Sequence, residues 1–237
     1  MKLEENKPSH IAIIPDGNRR RARNRKMPDL LGHREGYEKI KKVIGWANDR
    51  VIECLTVWGL SKENVLDRDP EEVKGLLKLV NKLNDLLPMM QKENIKFINI
   101  GDIELFSAKT IELLKSIEEK TKDNTGMKLV IGLGYSGLDE ITRATKKIVE
   151  AGLSVGDINE NEFKKYLDGG LEIPDPDLII RTGIHNGTDC VRHSGIHLAR
   201  STSSEYIFTK TLWPDFTEFE FQKAIVEFNK TKRTKGK

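Results

Sequence analysis

Short apolar runs rich in β-branched residues alternate along this chain with longer stretches in which apolar residues recur every three or four positions. The runs are Ile11 to Ile14, Val51 to Trp58, Ile95 to Ile100, Met127 to Leu133 and Asp177 to Arg181. Between them the spacing predicts helices from His33 to about Arg50, from Asp69 through Leu87, from Phe106 to about Lys122, from about Leu138 to Ala151, and a short one near Glu160 to Leu167. Such alternation means right-handed βαβ units and a parallel sheet. No repeat, low-complexity tract or linker interrupts it. The expected fold is therefore α/β: one domain over residues 1–237, a central, mostly parallel sheet of about six strands flanked by helices, and a solvated basic tail over 230–237.

In open parallel sheets, ligands bind beyond the carboxyl ends of the strands. Asp16, Ser61 with Asn64, Gly101 with Asp102, Tyr135 and Arg181 each follow a predicted strand and should crowd onto one rim. The densest chemistry lies just past the first strand, in Asp16-Gly17-Asn18-Arg19-Arg20-Arg21, with Arg23 and Arg25 beyond. Gly17 permits close backbone approach, and a helix start with arginine forks suits a diphosphate. Asp16 is a carboxylate where an anion should go, a conflict that a bridging Mg²⁺ resolves. On this run alone, an exposed basic face or nucleic-acid patch, with Asp16 as a cap, stands beside that reading.

Composition narrows the choice. Lys and Arg number 40 against 37 Asp and Glu, a net charge of +3, so any anion preference must be local. Cys54 and Cys190 are too few for a disulfide framework, and Cys54 reads as a small core residue. His185, His193 and His197 lack the companions of a zinc motif and read as loop or surface histidines. The N-terminus has no apolar h-region and no stretch approaches a membrane span, so a cytoplasmic location is expected, with peripheral membrane contact left open.

Three motifs together resemble the cis-prenyltransferases, the undecaprenyl diphosphate synthase family. The first is Asp16-Gly17-Asn18-x-Arg20-x-Ala22 with Gly32-His33-x-x-Gly36. The second is Ser61-Lys62-Glu63-Asn64 followed by Arg68 and Glu72, although capping is the ordinary role for Glu72. The third is Arg181, then Arg192-His193-Ser194, Glu205, and Phe208-Thr209-x-x-Leu212-Trp213-Pro214-Asp215-Phe216. The resemblance spans His10 to Phe216.

It implies Mg²⁺-assisted condensation of an allylic prenyl diphosphate with isopentenyl diphosphate to a Z-configured product. Gly17, Asn18, Arg19, Arg20 and His33 would hold the allylic diphosphate, and Arg68, Arg181, Arg192 and Ser194 the second. Arg21, Ser61, Lys62, Glu63 and His193 complete the implied substrate contacts. Asp16 and Glu205 would be the metal ligands, and Asn64 with Ser61 would assist proton removal. The resemblance also implies a homodimer, no nucleic-acid partner, and a lipid tunnel along Val73 to Leu87.

Several positions depart from the family pattern. Val65 stands where tryptophan is usual, Arg21 replaces an aromatic, and Asp29 replaces a phosphate-binding arginine. Tyr135-Ser136-Gly137-Leu138 lacks an expected arginine, and about five residues are added between Arg181 and Arg192. Gly195 to Ser204 is polar where the family is apolar and aromatic. These changes keep two alternatives in view: a branched, lavandulyl-type coupling of two allylic units, or a non-catalytic subunit of a heteromeric synthase.

Overall fold

The computed structural model describes residues 7–184, 192 and 194–231. The His193 site candidate, His185, Cys190, the altered 184–191 segment beyond Ile184 and the tail from 232 lie outside the described residues.

Six strands form one sheet: β1 His10–Ile14, β2 Cys54–Ser61, β3 Lys96–Ile100, β4 Lys128–Tyr135, β5 Leu178–Arg181 and β6 Glu205–Phe208. They are ordered β3-β4-β2-β1-β5-β6, and every pairing is parallel, as the alternation predicts. β1 carries His10, Ile11, Ala12 and Ile13 without solvent exposure, the near-continuous burial expected of a strand covered on both faces. Ile11 and Ile13 join the main core, whereas Ala12 and Ile14 pack with Ile179 and Ile196 on the opposite face.

The helices are α1 Asn18–Asn24, α2 Asp29–Asp49, α3 Lys62–Asp67, α4 Pro70–Val80, α5 Leu87–Lys92, α6 Ala108–Thr121, α7 Gly137–Glu150, α8 Glu160–Tyr166 and α9 Glu218–Lys230. Asp69 caps α4 as expected, accepting from the Glu71 and Glu72 backbone N–H groups, with Pro70 in the first turn.

Three expectations need correction. The second strand starts at Cys54, because Val51 and Ile52 instead close the end of α2: their N–H groups donate to Asn48 and Ala47, and Val51 has φ 54°. The Val73 to Leu87 stretch is not one helix. α4 stops at Val80, a 3₁₀ segment covers Asn81–Leu86, and α5 restarts at Leu87, since Pro88 has no N–H to continue the ladder. β2 also outruns the predicted end at Trp58, continuing to Ser61 and passing directly into α3.

Several elements escaped the sequence reading, α3 among them. β6 is a four-residue edge strand, half-buried throughout. α9 has a complete capping box, Thr217 with Glu220, and buries Phe221, Ala224, Ile225 and Phe228 at helical spacing.

Candidate active site

Asp16 follows β1 at the carboxyl end of the sheet, and its backbone is held from two directions. Its carbonyl accepts from the Trp213 backbone N–H at 3.0 Å and from Thr182 Oγ1 at 2.9 Å. Gly17 has φ 115° and lies against Leu212, where a Cβ would come within 2.8 Å of Cδ2. The glycine is thus required by both conformation and space. The carboxylate meets two guanidinium groups: Arg20 Nη2 donates at 3.1 Å and Arg181 Nη2 at 2.9 Å. Arg20 also donates to the Gly183 carbonyl. Arg181 Nη1 donates to Ser194 Oγ at 2.6 Å and to the Arg192 carbonyl at 2.5 Å.

Gly32 and Gly36 place α2 against this turn. A Cβ on Gly32 would lie 2.1 Å from the Asn18 carbonyl oxygen, and one on Gly36 would lie 2.3 Å from Asn18 Oδ1. The Gly36 carbonyl accepts from Trp213 Nε1 at 2.9 Å. The spacing of the two glycines is therefore a packing requirement, and it brings His33 to the cleft wall.

The second arm comes from the end of β2. Ser61 Oγ accepts the Asn64 N–H at 3.1 Å and caps α3. Asn64 Oδ1 accepts from Arg68 Nε at 2.9 Å, and Arg68 Nη1 donates to Glu72 at 2.7 Å. Glu72 does not cap with its side chain. Its carboxylate also stands 3.8 Å from Arg19 and 3.7 Å from His33. Burial, reinforced by Arg68, lowers the His33 pKa to about 4, so the ring is neutral near pH 7.

These arms enclose a cleft of about 640 Å³ lined by Asp16, Asn18, His33, Ser61, Glu63, Asn64, Arg68, Arg181, Arg192 and Ser194 together with Trp58 and its neighbours. An apolar cavity of about 80 Å³ opens from it, bounded by Leu76, Leu79, Val80, Leu83, Ile131 and Leu133. Pro15, Asn18, His33, Gly59, Leu60 and Leu76 border both spaces, so a polar mouth leads into an apolar pocket along α4.

Other predicted residues lie elsewhere. Lys62 turns away to Asp102 at 2.9 Å and Asp139 at 2.5 Å, which raise its pKa. Tyr135 is buried and donates to Glu140 at 2.7 Å, so neither it nor Asp102 lines the cleft. Arg21 is buried against Asp215 and Glu35. Arg23 pairs with Asp29 at 2.7 Å on the surface, and Arg19 reaches Glu72. Glu205 opens β6 opposite Leu178, whereas Asp16 lies just past the Ile14–Arg181–Phe208 level. Three residues of strand, about 10 Å, separate those levels, so one chain does not bring the two carboxylates together.

Among the described residues, no cluster of three or more His, Cys, Asp or Glu forms a cation site. Mg²⁺ commonly takes one or two carboxylates and completes its shell with substrate phosphate and water. Asp16 in an arginine-lined mouth fits that mode. Trp58 and Thr182 were not singled out as site residues beforehand, and Trp213 entered only as part of the third motif. Trp58 could have been found as the aromatic closing a predicted strand, but the backbone contacts that Thr182 and Trp213 make to Asp16 leave no local sequence signal.

A parallel α/β sheet with arginines converging at its carboxyl edge, beside an apolar pocket, suits a ligand with an anionic head and an apolar tail. The chain belongs to the undecaprenyl diphosphate synthase family of prenyltransferases, whose pattern it matches over residues 14–236. It is 38% identical over 236 residues to an isoprenyl transferase of Staphylococcus haemolyticus, covering 98% of this chain and 90% of the relative. It is 37% identical over 234 residues to the (2E,6E)-farnesyl-diphosphate-specific ditrans,polycis-undecaprenyl-diphosphate synthase of Micrococcus luteus, covering 97% and 91%. Its fold resembles that of lavandulyl diphosphate synthase from Lavandula x intermedia, solved with dimethylallyl diphosphate. The TM-score is 0.89 and the identity 30%, covering 98% and 99% of the two chains.

Proposed function

We propose that the protein is a Mg²⁺-dependent cis-prenyltransferase that condenses an allylic prenyl diphosphate with isopentenyl diphosphate. The observation that carries this reading is the junction of the Asp16–Arg181–Ser194 mouth with the apolar cavity beside α4. Gly17, Asn18, Arg20 and His33 bind the allylic diphosphate, with Arg19 at the edge, and the prenyl tail enters between Leu76 and Leu83. Arg68, Arg181, Arg192 and Ser194 bind the second diphosphate.

The allylic C1–O bond breaks and the diphosphate leaves with the electron pair. The isopentenyl double bond attacks C1, a C–C bond forms, and the proton that leaves C2 to give the Z double bond passes to the released diphosphate. Asn64 Oδ1, oriented by Arg68 and the Ser61 cap, assists that proton's departure. Preorganised arginines stabilise the charge that builds on the leaving group, where electrostatic catalysis gains most. Mg²⁺ held by Asp16, when bound, neutralises diphosphate charge. Within this reading the protein is a cytoplasmic homodimer, and the second carboxylate is Glu205 of the partner subunit.

A second reading has a specific observation behind it: the fold similarity to lavandulyl diphosphate synthase, together with the polar 195–204 segment. Here a second allylic diphosphate replaces isopentenyl diphosphate as acceptor. The test is product analysis after incubation with Mg²⁺ and dimethylallyl, geranyl, farnesyl or geranylgeranyl diphosphate, each with and without isopentenyl diphosphate. Linear products that require isopentenyl diphosphate support the first reading. Products from allylic substrates alone support the second, and no product from any pair overturns both.

A further inference from the structure

A buried chain of hydrogen bonds runs beneath the polar segment from Gly195 to Ser204. His10, Thr56 and His197 are all fully buried. His10 Nδ1 lies 2.7 Å from the Pro174 carbonyl oxygen, which can only accept, so Nδ1 carries the proton. Burial lowers the His10 pKa to about 4, so at pH 7 Nε2 is a bare acceptor. Thr56 Oγ1, 2.8 Å away, must donate its single proton there. That oxygen can then only accept from His197 Nε2 at 2.9 Å, which therefore holds the proton of the second imidazole. Burial beside His10 and Arg200 keeps this ring neutral too, and its Nδ1 has no hydrogen-bond partner among the described residues. One proton arrangement accounts for all three hydrogen bonds of the chain and leaves His197 Nδ1 as a bare acceptor.

The turn above this chain is strained. Ser194 and His197 have φ of 58° and 48°, and Gly195 has φ 80°. Non-glycine residues hold such angles where their surroundings enforce them. His197 supplies the enforcement twice, through its imidazole on Thr56 of β2 and through its backbone N–H, which donates to the Tyr135 hydroxyl at 3.0 Å. The Gly195 carbonyl presses on the start of α7, where a Cβ on Gly137 would lie 2.2 Å from it. At the other end of the turn, Ser194 meets Arg181, and Arg181 meets Asp16.

We infer that His197 is a positioning residue: hydrogen-bonded through Thr56 to His10, it locks the 194–197 turn so that Ser194 and Arg181 are set to receive the acceptor diphosphate. This role rests on the proposed prenyl transfer. It gives the fully buried His197 a role, and it places specificity for the acceptor in a residue that never touches it.

The experiment measures KM for each diphosphate at saturating levels of the other, for wild type, His197→Leu, His197→Gln, Thr56→Val and Thr56→Ser. Loss of a hydrogen bond that holds the turn raises KM for isopentenyl diphosphate at least ~10-fold in His197→Leu and Thr56→Val, with the allylic KM within about 2-fold of wild type. His197→Gln keeps a donor near Nε2 and Thr56→Ser keeps the hydroxyl, so both restore the acceptor KM to within about 3-fold. Nitrogen NMR of wild type at pH 7 shows the Nδ1–H tautomer for His10 and the Nε2–H tautomer for His197. Equal rises in both KM values, no rise in Thr56→Val, or the opposite tautomers overturn the inference. Should His197→Leu not fold, the two Thr56 variants decide. A wild type that forms no product with isopentenyl diphosphate overturns the functional reading instead, and the tautomers alone then judge the hydrogen-bonded chain.

Discussion

Arg181 Nη2 donates to Asp16 Oδ2 at 2.9 Å although 165 residues separate the two in sequence. The sheet sets this distance, because β1 and β5 are neighbours and Ile14 pairs with Arg181 itself. The carboxylate and the cation of the mouth are thus fixed by strand register before any ligand arrives, and the Trp213 and Thr182 contacts fix the Asp16 backbone in turn. Preorganisation of this kind lets charge stabilisation act without reorganising the site.

Gly32→Ala tests whether the glycine pair is a packing requirement. The new Cβ would meet the Asn18 backbone oxygen at 2.1 Å, which no side-chain rotation relieves. Overpacking of this sort costs ~1–3 kcal/mol. Thermal unfolding should show a Tm lower by roughly 3–10 °C, and a Tm equal to wild type contradicts the packing account.

Acid should destabilise the fold through buried histidines. The folded-state pKa values of His33 and His10 are both lowered from 6.5 to about 4 by burial. Between those values the unfolded chain binds the extra proton, so stability is complete above pH 6.5 and is lost as pH falls toward 4. Each histidine contributes a slope of about 1.4 kcal/mol per pH unit within that window. Urea unfolding between pH 7 and 4.5 measures it, and His33→Gln should flatten the slope by about one proton. An unchanged slope removes His33 from the account.

Lys62 bridges Asp102 and Asp139 and does not line the cleft. Lys62→Met leaves Asp102 and Asp139 without their shared cation and should lower stability by ~1–3 kcal/mol. Both substrate KM values should stay within about 2-fold of wild type. A large rise in either, with stability intact, returns Lys62 to the binding site.

Chelation should separate chemistry from folding. With Asp16 as the carboxylate in the mouth and no three-residue cation cluster among the described residues, EDTA should abolish turnover and leave Tm within about 1 °C. A Tm that falls with turnover contradicts a metal that arrives with substrate.

What was legible in the sequence is what local spacing encodes. Five strands, the α4 cap at Asp69-Pro70 and the Asp16-Gly17 turn into an arginine-bearing helix depend on neighbours within a few residues, and each was found near where spacing put it, with the start of β2 shifted from Val51 to Cys54. β6 was missed because four half-buried residues at an edge carry no alternation to detect. The position of Lys62 beside Ser61 suggested substrate, but only the fold brings Asp102 and Asp139 within its reach. Glu72 illustrates the same limit: its place three residues after an N-cap fits capping, while the fold turns its carboxylate to Arg68. The roles of Thr182 and Trp213 rest on contacts to the Asp16 backbone that span more than 160 residues.

The central claim is that Asp16 and Arg20, in the mouth they share with Arg181, activate an allylic diphosphate for attack by isopentenyl diphosphate. The most direct measurement follows incorporation of labelled isopentenyl diphosphate into farnesyl-primed product, in wild type and Asp16→Asn, with the geometry of each new double bond read by NMR. The account predicts Z double bonds in wild type and a fall in kcat of at least ~10²-fold in Asp16→Asn, with Tm little changed. Label incorporated at an undiminished rate by Asp16→Asn, or new double bonds of E geometry, would contradict it.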